Sequence, residues 1–149
     1  MTHDRARTIV RASAIYDLLV TVPFALPVTA TWLFTALHTL HENLGLTGAT
    51  PDAGAVFTLM FANLMGSVVS VWALFRIARP TLAAGVADTG ARVLFSLGMI
   101  TALAGGASPL VVVMLVLEVA WGVVQGVAVL RARRREDPRA RAGSSATTF

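Results

Sequence analysis

Residues 14–27 read AIYDLLVTVPFALP. A single carboxylate, Asp17, stands in a run that is otherwise uncharged, and two prolines, Pro23 and Pro27, follow it. A secretory signal is one reading. Arg5 to Arg11 would form its basic region, and Val28-Thr29-Ala30 would resemble its small-residue cleavage site. Asp17 would then interrupt the apolar region, and the apolar residues run on through Trp32, Leu33 and Phe34. The stretch instead predicts a first membrane span over residues 12–37. That is longer than the ~20 residues that cross a ~30 Å hydrocarbon core, and it is kinked at the prolines.

Three more runs extend this reading, at 56–76, 82–104 and 109–130. The fold class expected is an all-α integral membrane protein, a four-transmembrane-helix antiparallel bundle. The 149-residue chain is 56% hydrophobic and 13% charged, with a mean hydropathy of +0.72. A soluble domain carries about 25% charged residues. Twelve basic residues against eight acidic ones give a net charge of +4. They flank the apolar runs as membrane-flanking charges do, and no nucleic-acid motif accompanies them. The absence of cysteine excludes disulfides and thiol chemistry.

The arginines also set the expected topology. Apart from Arg92 they lie in residues 1–11, in the RIARPT connection after the second run, and after Leu130. The positive-inside rule therefore places both termini in the cytoplasm of a bacterial inner membrane. Residues 131–149 have too few apolar side chains to fold and predict a disordered basic tail, suited to anionic lipid.

Each span carries one polar stripe at helical spacing. Ser13, Asp17 and Thr21 share one face. Asn63, Ser67 and Ser70 share another, Asp88, Arg92 and Ser96 a third, and Glu118, Gly122 and Gln125 a fourth. Lipid satisfies none of these groups, so the stripes are expected to face one another inside the bundle. Arg92 lies thirteen residues past Arg79, and Glu118 thirteen before Arg131. At ~1.5 Å per residue both reach similar depth, which predicts an Arg92–Glu118 ion pair with Asp17, Asp88 and Gln125 to its cytoplasmic side. Three carboxylates then face one arginine, and the imbalance calls for protonation, hydration or a bound cation.

The expected site is therefore Asp17, Asn63, Asp88, Arg92, Glu118 and Gln125, binding or transporting a small polar or cationic solute or protons. The alternative is a non-catalytic accessory or scaffold subunit, in which the same groups only join helices. Partners expected are the bilayer and either a second copy or a larger membrane protein. Before Asn43 the sequence reads HTLHE, with His38, His41 and Glu42 at i, i+3 and i+4, a candidate metal group whose order matches no zinc-protease motif. No nucleophile elbow, P-loop or dinucleotide fingerprint is present, and no cofactor is expected. A faint repeat aligns Val68–Arg76 with Val123–Arg131, setting Asn63 against Glu118 and Ser70 against Gln125.

Overall fold

A computed structural model describes residues 3–136. Five helices follow one another: α1 (His3–Ala25), α2 (Pro27–Asn43), α3 (Val56–Ala78), α4 (Leu82–Ala104) and α5 (Leu110–Glu136). No strand occurs among the described residues; a lone bridge joins Ala49 to Ala107. Four helices, α1, α3, α4 and α5, are long and apolar enough to cross a membrane.

The first expected span is not one kinked helix. It is two helices, divided at Leu26, which takes an extended conformation (φ −115°, ψ 135°). The residue before a proline is pushed out of the helical region, and Pro27 has no N–H to give the Pro23 carbonyl. Two side chains satisfy the carbonyls freed at the break. The Thr29 hydroxyl donates to Pro23 O at 2.6 Å, and Asn63 Nδ2 donates to Phe24 O at 2.8 Å. Glycine 66 lets α3 approach this point, since a Cβ there would lie 2.5 Å from the Phe24 carbonyl carbon. Pro23 itself stays inside α1.

α1 also begins earlier than expected, at His3 rather than residue 12, so part of the N-terminal segment is helical. At the other end α5 carries residues 131–136 as helix. The remainder of the expected tail, 137–149, lies outside the described residues.

The chain forms two hairpin-like pairs, α1 against α3 and α4 against α5, with α1 also touching α5. α1 and α4 run one way and α3 and α5 the other, because Val10, Gly85 and Val129 meet at one end and Arg11 Nε donates to Ile77 O. The first turns of α1 and the last turns of α5 therefore share one end, here called the arginine end. The small residues Ala6, Ala128 and Ala132 pack there, with Ile9 and Leu82 against them.

Burial is concentrated toward that end. It covers Ala6 to Asp17 on α1, Gly66 to Arg76 on α3, Ala84 to Arg92 on α4 and Gln125 to Ala132 on α5. Beyond Arg92 no residue of α4 is buried, nor any of α5 before Gln125, whereas α1 and α3 stay in contact as far as Phe24 and Gly66. α3 and α4 make no extensive backbone contact although only residues 79–81 join them. At the opposite end two loops are tied together: Ala49 N donates to Gly106 O and Ser108 N to Ala49 O, each at 2.8 Å. The faint repeat does not extend to chemistry. Asn63 seals the helix break whereas Glu118 pairs with Arg92, and Arg76 is buried whereas Arg131 is exposed.

Candidate functional site: a buried charge cluster under a cavity

Five charged side chains from four helices meet where the bundle begins to open. Arg92 on α4 uses every guanidinium nitrogen. Its Nη2 stands 2.7 Å from both oxygens of Asp17, its Nε 3.1 Å from Asp88 Oδ2, and its Nη1 2.6 Å from Glu118 Oε2. The Arg92–Glu118 pair is the one expected from sequence. Asp17 contacts Arg92 directly, beside the pair.

The fifth member is Arg76, which the sequence reading left among the flanking charges. Its side chain is 0% exposed. From the third-last residue of α3 it turns inward, donating from Nη2 to Asp17 Oδ2 and lying 2.8 Å from Asp88 Oδ2 through Nη1. The ratio of three carboxylates to one arginine is thereby corrected: three carboxylates face two guanidiniums, a formal charge of −1. Sequence held a signal for Arg76. Gly66, Ser70, Ala73 and Arg76 form one buried stripe on α3, which carries the polar face on from Ser70 by two i, i+3 steps. An arginine beside a connection reads as a topology charge, and its long side chain can point either way.

Four of the five charges close on themselves. Asp17 and Asp88 are each held by both arginines, so that quartet is neutral. Both Asp88 oxygens are engaged: Oδ2 also receives Gln125 Nε2 at 2.9 Å, and Oδ1 receives Trp72 Nε1 at 3.1 Å. Gln125 is fully buried, accepts from the Ser13 hydroxyl through Oε1 and donates to Gly85 O at 3.0 Å. Among the described residues Arg76 Nε is the buried side-chain polar atom without a partner.

Glu118 stands apart. Its single ion pair uses Oε2, its side chain is 15% exposed, and among the described residues Oε1 receives no hydrogen bond. The surplus negative charge of the cluster is therefore carried where a carboxylate oxygen is still free.

That oxygen's residue lines a cavity of about 270 Å³ between the helices. Asp17, Asp88, Arg92 and Glu118 line it together with the rings of Tyr16, Phe24, Trp72 and Phe95. Three methionines, Met65, Met99 and Met114, complete much of the wall. Tyr16 is steadied against Trp121, ring centroids 5.8 Å apart, and Trp72 stacks on Phe75 at 5.6 Å. The Arg76 guanidinium lies 5.8 Å from the Trp72 ring centre.

The expected residues thus divide. Asp17, Asp88, Arg92, Glu118 and Gln125 are joined in one network. Asn63 is not part of it and holds the α1–α2 break instead. The candidate metal group does not gather: His38 Nδ1 meets Thr50 Oγ1 at 2.9 Å, while the buried His41 turns its Nδ1 to Ser108 Oγ at 2.8 Å. Among the described residues no three His, Asp or Glu side chains could hold a metal ion. Competition is the reason: Thr50 of the α2–α3 loop engages His38, and Ser108 of the α4–α5 turn engages His41.

No known protein family, curated protein or solved structure matches the chain. Any function argued for it rests on its own residues.

Proposed function

We propose that this chain is a multi-pass protein of the bacterial cytoplasmic membrane, both termini inside, whose bundle interior binds a small monovalent cation beside Glu118. The single observation that carries the reading is the division of the cluster. A neutral Asp17–Arg76–Asp88–Arg92 quartet leaves one extra carboxylate, and that carboxylate faces a cavity. Isolated charge within a bilayer is costly and marks functional positions. A bound monocation would neutralise the cluster.

Helix cross-linking alone accounts for the quartet, which joins α1, α3 and α4 with all charges balanced. This favours the scaffold reading for those four residues. The Arg92–Glu118 pair likewise joins α4 to α5, but cross-linking gives no use for the surplus charge that Glu118 adds or for the aromatic cavity beside it. A single four-span bundle offers a binding site rather than a translocation path, so transport would need a second copy.

Melting midpoints of the purified full chain in detergent, with and without monovalent cations, test the reading. A cation that raises the midpoint of wild type and of Glu42→Gln, but not of Glu118→Gln, supports it. Equal shifts in all three proteins would remove Glu118 from the site. Co-purification with a larger membrane protein, with no cation effect, would favour the scaffold.

A further inference from the structure

We infer that the cavity takes a hydrophobic organic monocation, an ammonium carrying an aromatic or branched alkyl group, rather than a hydrated or inorganic ion. This deepens the preceding reading and rests on it.

Inorganic cations are held by several converging oxygens. Here the Asp17 and Asp88 oxygens are committed to guanidiniums, to Trp72 and to Gln125. Among the described carboxylate oxygens of the cluster only Glu118 Oε1 accepts no hydrogen bond; with the Tyr16 hydroxyl, and the Thr21 hydroxyl already bonded to Asp17 O, the wall offers too few oxygens to replace a hydration shell. An organic ammonium asks less. It needs one negative charge and a low-polarity surround, since its charge is spread over alkyl carbons.

The remainder of the wall supplies that surround. Four aromatic rings and three methionines share the wall with the charged groups. Ring faces attract alkylammonium groups, most strongly away from water, and methionines adapt to apolar ligands of differing shape. At about 270 Å³ the cavity falls just below the roughly 300–1,000 Å³ range of sites for drug-sized ligands, which suits a one-ring ligand.

Four probes separate the possibilities: benzyltrimethylammonium, tetramethylammonium, potassium, and neopentylbenzene, the uncharged isostere of the first. Binding is read by calorimetry on the full chain in lipid nanodiscs. Benzyltrimethylammonium should saturate at one per chain, about tenfold or more tighter than tetramethylammonium, because a phenyl ring is buried. Neopentylbenzene should bind about tenfold or more weakly than the cation, and Glu118→Gln should remove that preference. Phe95→Ala, which leaves the charge cluster intact, should weaken benzyltrimethylammonium while sparing tetramethylammonium.

Tetramethylammonium or potassium binding as tightly as the aromatic cation, still dependent on Glu118, would overturn the ligand class and leave the cation site standing. Neopentylbenzene binding equally well, or Glu118→Gln without effect, would overturn both. No binding of any probe to folded wild type would also overturn both.

Discussion

Arg76 Nη1 stands 2.8 Å from Asp88 Oδ2, although Arg76 belongs to the last turn of α3 beside an arginine-flanked connection. A residue placed to mark topology instead completes a buried network. Arg76→Leu should therefore lower stability by about 3–5 kcal/mol, the cost of leaving buried charges uncompensated. Arg79→Ala, at an exposed neighbour, should stay within about 0.5 kcal/mol. Denaturant unfolding in mixed micelles measures both, and equal effects would contradict the inward placement.

The two kinds of carboxylate should respond differently to loss of charge. Asp17→Asn removes a group shared by two guanidiniums and should cost about 3–5 kcal/mol. Glu118→Gln keeps an acceptor for Arg92 Nη1 and relieves a surplus charge, so it should cost about 1 kcal/mol or less. Unfolding of the two single variants beside wild type checks the order. A larger loss at Glu118 would make it part of the structural quartet.

Both aspartates, Arg92, Glu118 and Gln125 were legible in the sequence because helical spacing puts polar groups on one face, and lipid leaves them only each other. The Arg92–Glu118 pair followed from depth counted along two helices. What sequence hid was set by the third dimension. Periodicity does not show whether a terminal arginine reaches outward or inward. The two prolines signalled a disturbance, but whether α1 bends or breaks depended on Asn63 and Thr29 being present to satisfy the freed carbonyls. Asn63 therefore looked like a site residue while serving the backbone. The cavity lies between helices, which no single span records.

The break makes its own prediction. Asn63→Leu leaves Phe24 O without its donor and should cost about 1–3 kcal/mol. Gly66→Ala forces a methyl group into the Phe24–Ala25 backbone and should cost about 1–3 kcal/mol by overpacking. Thermal unfolding of each variant checks the values. Near-neutral results at both positions would mean that α3 does not press on the break.

At the far end, Gly48 sits at φ +108° with the Gly106 carbonyl oxygen 2.8 Å from where a Cβ would be. Gly48→Val should strain this contact by about 1–3 kcal/mol. The amides of Ala49 and Ser108, which join the two loops, should then exchange with deuterium faster than in wild type. Unchanged exchange would show the loops to be independent. Zinc should leave the melting midpoint of wild type and of His38→Ala alike, because His41 is engaged by Ser108.

The most direct test of the central claim is chemical. A membrane-permeant carbodiimide reacts with a carboxyl group that it can reach in apolar surroundings, and mass spectrometry of the digested protein locates the adduct. Glu118, which lines the cavity and has one oxygen without a hydrogen bond among the described residues, should be labelled while Asp17 and Asp88 are not, and benzyltrimethylammonium should protect it. Labelling of Asp17 or Asp88 in the folded protein, or labelling of Glu118 that no organic cation slows, would contradict the account.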